Sequence, residues 1–280
     1  MALYAFDGTW NKDEADEAKE TNVRKFRTCL SEDMHAFYLE GVGTHFGFIG
    51  KLLGGVTGAG GRFRIHDAME QLDRYFAEGD RTVDIIGFSR GAALALHFAN
   101  QVQAEKPGAE VRFLGLWDTV ASFGLPGNDI NIGWDLTLPD NVRHCFHAMA
   151  LDERRGNFPL TRVVPQKGGK PVKDRLQEVW FRGVHSDVGG GQSVGLSSIA
   201  LCWMLRRAKE SGLPVVEAKL KEREAMCDPK ALISKNFDPI KDPQRTVNPT
   251  DVVHESVTAR GHAGGTVHND PPPGVAIAHG

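Results

Sequence analysis

The sequence predicts an α/β fold: a mostly parallel, doubly wound sheet with helices on both faces. Two observations predict it. Short, nearly unbroken apolar runs recur along the chain, each ending in small or polar residues, as strands covered on both faces do. Between them lie longer segments whose apolar residues repeat every three or four positions, as on a helix. Alternation of the two is how a doubly wound sheet reads in sequence. At 280 residues and 41% hydrophobic, the chain can bury a proper core, and residues 1–260 are expected to form a single domain.

The predicted strands come in order. Leu3 to Phe6 runs into Asp7-Gly8-Thr9-Trp10, and Ala36 to Leu39 into Glu40-Gly41-Val42-Gly43-Thr44. Val83 to Ile86 runs into Gly87-Phe88-Ser89, Val111 to Trp117 into Asp118-Thr119, and Glu178 to Val184 into His185-Ser186-Asp187. Helices are predicted over Arg64 to Phe76, with Ile65, Met69, Leu72 and Phe76 on one face, over Gly91 to Val102, and over Ile199 to Ala208. Residues 121–175 are rich in Gly, Pro, Asn and Asp. They read as a lid-like insertion over the sheet edge, with one helix around Val142 to Leu151. The tail 261–280, with Pro271-Pro272-Pro273, reads as a flexible loop. Ligands of such sheets bind at the carboxyl ends of the strands, so the polar residues there are the first functional candidates.

Composition narrows the function. The net charge of −3 shows no basic excess, which argues against a nucleic-acid partner. No apolar run reaches the length of a membrane span. The start, Met1-Ala2-Leu3-Tyr4-Ala5-Phe6-Asp7, lacks the basic and apolar parts of a signal peptide. The expectation is synthesis in the cytoplasm, with export only by a signal-independent route. The four cysteines are scattered, so reduced thiols are expected, and no cofactor is.

Val83-Asp84-Ile85-Ile86-Gly87-Phe88-Ser89-Arg90-Gly91-Ala92-Ala93 reads as a strand, a sharp turn and a helix. A Gly-x-Ser-x-Gly turn in that context is a nucleophile elbow, which exposes a strained serine at the top of an α/β-hydrolase-like sheet. The helix after it points its N-terminus at developing negative charge. Ser89 is therefore the candidate nucleophile. The backbone N–H of Arg90 is a candidate oxyanion donor, and Gly8 and Thr9 are candidates for the second.

A serine hydroxyl needs a histidine base, and the base an orienting carboxylate. Among eleven histidines, His185 and His254 fit the usual chain order of serine, acid, histidine. Asp118 is the candidate acid, and Asp187 the alternate if His254 is the base. Residue positions alone do not choose between the two histidines.

Several segments occur together in a fixed order: Phe6-Asp7-Gly8-Thr9-Trp10-Asn11, Gly41-Val42-Gly43-Thr44, Gly87-Phe88-Ser89-Arg90-Gly91-Ala92, Trp117-Asp118-Thr119-Val120, His147-Ala148-Met149-Ala150-Leu151-Asp152-Glu153 and Gly183-Val184-His185-Ser186-Asp187-Val188-Gly189-Gly190-Gly191. From about residue 3 to 206, the chain resembles the bacterial and fungal α/β-hydrolase family that includes the type VI secretion phospholipase effectors. The resemblance implies a triad of Ser89, Asp118 and His185 that cleaves ester bonds of glycerophospholipids. It also implies peripheral membrane contact, export without a signal peptide, and an immunity protein as partner. Such effectors carry an added membrane-docking region, for which 280 residues leave little room.

Other readings compete. Gly54-Gly55-Val56-Thr57-Gly58-Ala59-Gly60-Gly61 lacks the Gly-Lys-Ser/Thr ending of a phosphate-binding P-loop and reads as a flexible rim loop. His144, His147, His185 and Asp187 lack the helical spacing of a metal site. Arg62-Phe63-Arg64 and Arg154-Arg155 read as solvated basic faces. The rival functions are an esterase of small soluble esters and a non-catalytic binding module on the same fold.

Overall fold

The computed structural model describes residues 1–8, 19–41, 59–121, 134–156, 158–235, 244–260 and 269–280. In chain order its elements are β1 (Ala2–Phe6), α1 (Asn22–Thr28), β2 (His35–Leu39), α2 (Ala59–Ala77), β3 (Thr82–Phe88), α3 (Arg90–Glu105), β4 (Glu110–Trp117), β5 (Thr137–Leu138), β6 (Val142–Ala150), β7 (Val164–Pro165), β8 (Leu176–Phe181), α4 (His185–Gly189), α5 (Val194–Glu210), α6 (Glu217–Glu224), β9 (Val252–His254), α7 (Glu255–Arg260) and β10 (Ala276–Ala278). Eight strands form one sheet in the order β10-β9-β8-β6-β4-β3-β1-β2, and each neighbouring pair is parallel. β5 and β7 pair separately.

Alternation along β1 shows why both faces are covered. Leu3 and Ala5 pack with Val23 and Phe26 of α1 and with Leu201 and Met204 of α5. Tyr4 and Phe6 point the other way, into the layer of Leu72 from α2 and Phe98 from α3. An apolar side chain at every strand position therefore finds a core on one side or the other, which is why the strands read as unbroken runs. The chain leaves β1 toward the edge strand β2 and later returns to β1's other side as β3. That reversal opens a crevice at the carboxyl ends of β1 and β3, where ligands of such sheets bind. Asp7 and Ser89 follow those two ends.

Two expectations are corrected. Residues 142–150 form strand β6, between β4 and β8, rather than a helix. Its apolar residues, interrupted by Arg143, His144 and His147, carry no clear period that distinguishes strand from helix, and pairing with β4 and β8 decides it. The segment 121–175 is thus no lid as a whole, since its middle is interior sheet; residues 122–133 and 157 lie outside the described residues. In the tail, Ala276–Ala278 forms edge strand β10 against β9 rather than loop. Glu255 holds the chain end through His279 Nδ1 (2.8 Å) and the Gly280 N–H (3.0 Å). A strand this short is fixed by its neighbour and leaves no pattern of its own. Residues 261–268, Val42-Gly43-Thr44 and the glycine-rich 54–58 lie outside the described residues.

Candidate active site

Ser89 joins β3 to α3 with φ 59° and ψ −127°, a conformation costly for a residue with a Cβ, of order 1–3 kcal/mol. The turn is held by the Ser89 N–H donating to Trp117 O (3.0 Å) and by Ser89 O accepting from Val120 N (3.2 Å). Its tightness explains the flanking glycines. A Cβ on Gly87 would lie 2.6 Å from Gly91 O and 2.7 Å from Ala92 Cα, and one on Gly91 would overlap the carbonyl oxygens of Phe6 and Asp7. The Arg90 N–H lies at the N-terminal turn of α3, and burial pushes the Arg90 guanidinium down to about 10.

Asp118 follows β4 with φ 41° and is fully buried. Its N–H donates to Ala148 O (2.8 Å), and its Oδ1 accepts from Ala150 N (2.8 Å), so the turn is stitched to β6. His185 Nδ1 lies 2.6 Å from Asp118 Oδ2. Arg245 grips the same carboxylate, Nη1 to Oδ1 at 2.6 Å and Nη2 to Oδ2 at 3.1 Å. Burial would raise the Asp118 pKa, but the Arg245 charge and the His185 and Arg245 hydrogen bonds outweigh it and hold the carboxyl well below the usual range. With Nδ1 donating to that carboxylate, a neutral His185 leaves Nε2 as an acceptor. That nitrogen is buried and has no partner among the described residues.

The His185 ring lies between Phe88 and Phe158, at centroid distances of 4.6 and 4.7 Å. Phe88 immediately precedes Ser89, so the imidazole sits against the elbow. No hydrogen bond joins the Ser89 hydroxyl to His185 among the described residues. α4 reaches this place because Gly189 has no side chain: a Cβ there would run into the Phe88 ring. The loop before it is tied by Gly183 N to Asp152 Oδ2 (2.7 Å) and His185 N to Glu153 Oε2 (3.0 Å).

The other candidates fall elsewhere. His254 ends β9, four strands from β3, or about 19 Å across the sheet. Its Nδ1 meets Ser256 Oγ (2.8 Å), its ring stacks on Phe181, and burial pushes its pKa down to about 4. Asp187 is not paired with it. Its carboxylate accepts from Val184 N (3.0 Å) and from Ser234 N (3.0 Å) and Oγ (2.5 Å), which caps α4. The Gly8 N–H, expected at the oxyanion, donates instead to Asp7 Oδ1 (2.6 Å); that carboxylate also takes Tyr38 OH (2.6 Å) and Thr21 Oγ1 (2.7 Å). Thr9 lies outside the described residues. His147 is committed to Glu178 (Nδ1, 2.9 Å) and Thr119 (Nε2, 3.1 Å). Arg155 is no solvated face: it forks onto buried Glu153 and covers the Phe158 ring at 3.9 Å.

Sequence reading missed Arg245, Phe158 and the tethering roles of Asp152 and Glu153. The last two stand within His147-Ala148-Met149-Ala150-Leu151-Asp152-Glu153, a string that carries no sign of their role. Nothing around Arg245, in a polar stretch without periodicity, could have marked it.

The fold and this geometry define an α/β protein in which a strained elbow serine and a buried His–Asp pair lie at the carboxyl ends of parallel strands. The chain belongs to the Tle1-like phospholipase effector family of the type VI secretion system, whose catalytic-domain description matches residues 3–104 and 95–207. The crystal structure of an uncharacterized protein from Pseudomonas aeruginosa is similar with a TM-score of 0.61 and 24% identity, over 80% of this chain and 48% of that one. A Tle1 effector, solved bound to the VgrG spike of the type VI secretion system, is similar with a TM-score of 0.50 and 25% identity, over 69% of this chain and 51% of that one. The chain spans about half the length of each. No curated protein matches it. Among the described residues no helix is long and apolar enough to cross a membrane.

Proposed function

We propose that the chain is a serine hydrolase of α/β-hydrolase type that cleaves carboxylic ester bonds of phospholipids or other lipids through an acyl-enzyme. The observation that carries the reading is the His185 imidazole. One nitrogen is bound to buried, ionised Asp118, the other is open, and the ring rests on Phe88 beside the strained Ser89. In this reading, His185 Nε2 takes the Ser89 hydroxyl proton as Oγ attacks the ester carbonyl carbon. The oxyanion forms at the α3 N-terminus, where the Arg90 N–H donates to it; with the Gly8 N–H held by Asp7, Thr9 in the loop after β1 is the expected source of a second donor. Collapse breaks the carbon–oxygen bond to the alcohol, which leaves with the proton from His185. Water, deprotonated by His185, then hydrolyses the acyl-Ser89 ester. Asp118 keeps the Nδ1 proton in place and stabilises the imidazolium.

Membership of a phospholipase effector family supports lipid rather than small-ester substrates. The same membership supports export through a type VI system, docking on a VgrG-type spike, contact with a lipid surface and an immunity protein as partner. A fluorophosphonate probe tests the chemistry: the wild type should label at Ser89 and the Ser89→Ala protein should not. Parallel assays on micellar phospholipid and a short-chain nitrophenyl ester test the substrate. Preference for the short ester makes the protein a small-ester esterase, and absence of labelling and of turnover makes it a binding module.

A further inference from the structure

Arg245 lies beyond residue 207, where the family match ends, yet it touches the centre of the site. Its guanidinium has four acceptors. Nη1 donates to Asp118 Oδ1 (2.6 Å) and Ala150 O (2.7 Å), and Nη2 to Asp118 Oδ2 (3.1 Å) and Phe158 O (2.9 Å). The planar fork is thus fixed from both ends, which a lysine's single ammonium could not reproduce. Asn269 holds the backbone in turn, its Nδ2 donating to Arg245 O (2.7 Å) and Leu151 O (3.2 Å).

Two consequences follow for His185. The Asp118 carboxylate cannot rotate, because each oxygen takes one Arg245 nitrogen besides its other partner: Ala150 N at Oδ1, His185 Nδ1 at Oδ2. The second consequence runs through Phe158, whose carbonyl Arg245 holds and whose ring covers the imidazole. We propose that Arg245 is a positioning residue for the Ser89 reaction, locking Asp118 in register with His185 and seating Phe158 over the ring. The inference rests on the triad reading given above. It makes the segment after residue 207 a working part of the site.

The neighbouring charges are otherwise spoken for. Glu153 holds the His185 N–H and pairs with Arg155, Asp187 caps α4 with Ser234, and Asp152 pairs with Arg182. Removing Arg245 leaves Asp118 without the cation that contacts it. The imidazolium is then favoured, and the acid limb of the pH–rate profile moves to higher pH.

The test uses the full chain with Arg245→Gln and Arg245→Lys. It measures kcat and KM on a short-chain nitrophenyl ester, the rate of fluorophosphonate labelling against pH, and the melting temperature. Arg245→Gln should lower kcat and labelling together, by about 10- to 100-fold, the usual loss when a group that orients a catalytic ligand is removed. KM should hold, and the acid limb should move to higher pH. Arg245→Lys, which keeps the charge but not the fork, should keep the limb in place and recover only part of kcat. A folded Arg245→Gln protein with wild-type labelling and an unmoved limb overturns the inference alone. If Arg245→Gln melts far below the wild type, Arg245→Lys decides, and wild-type kcat in that variant overturns it. A wild type that takes no label at Ser89 overturns the hydrolase reading itself, and the inference falls with it.

Discussion

At the scale of single residues, the two histidines differ by what their ring nitrogens meet. His185 has a carboxylate on one nitrogen and an open second nitrogen beside the elbow. His254 meets the Ser256 hydroxyl and N–H at Nδ1, has no carboxylate on its ring among the described residues, and lies four strands away. On the proposed chemistry, Ser89→Ala should lose ester hydrolysis by orders of magnitude, up to about 10⁶ in kcat as in subtilisin. His185→Ala should lose a similar amount, and the double variant hardly more, because triad members act as a unit. Asp118→Asn should cost about 10⁴-fold through the wrong tautomer. His254→Ala should keep kcat within about an order of magnitude, a barrier change of about 1.4 kcal/mol. Steady-state kinetics on one ester, with circular dichroism to confirm folding, reads all five; a folded His185→Ala protein with wild-type kcat removes His185 from the mechanism.

At the scale of elements, the site depends on how closely a strand, a turn and two helices approach. Gly87 and Gly91 let the elbow close, and Gly189 lets α4 lie on the Phe88 ring. A valine at any of the three has no space, and overpacking of this kind costs about 1–3 kcal/mol, more where backbone is in the way. Gly91→Val meets the backbone of Phe6 and Asp7, so it should harm the fold most and lower the melting temperature clearly. Gly189→Val meets a ring that can turn, so it should shift α4 and lose activity with a smaller thermal penalty. Calorimetry paired with kcat separates the two. Equal melting temperatures for Gly91→Val and wild type would show that the elbow is not packed as described. Gly108, with φ 86° and open space around its Cβ position, serves as a control: alanine there should cost a little stability through backbone strain and leave kcat unchanged.

At the scale of the whole molecule, burial links stability to pH. His254 is held neutral by burial with a pKa pushed down to about 4, while the unfolded chain binds that proton near the ordinary value of about 6.5. Between those values the unfolded state carries the extra proton, so stability rises with pH and is lost as pH falls through this window, by up to about 3 kcal/mol. Urea melts at a series of pH values should show that slope, and His254→Gln should flatten it. Asp118 acts in the same direction at lower pH: with its pKa held below the unfolded value, its contribution is present above about pH 4 and is lost as pH falls further. A His254→Gln protein with an unchanged slope between pH 4 and 6.5 would show that the imidazole is already solvated in the folded state.

Local order was legible in the sequence because it is written locally. Gly87, Ser89 and Gly91 stand within one turn, flanked by an apolar strand and a small-residue helix, so backbone sterics alone predict the elbow. The alternation of apolar runs with three-four periodicities predicts the parallel sheet and its two covered faces, since each residue's burial depends on its own element's period. Tertiary structure alone decided the rest. β6 became a strand because β4 and β8 pair with it, and β10 because β9 does. His185 approaches Asp118 across 67 residues, and Arg245 reaches that carboxylate across 127. Such pairs leave no spacing rule in the chain, because the loops between them can be of any length; only the packed sheet, which brings several strand ends to one edge, puts those side chains within hydrogen-bond distance.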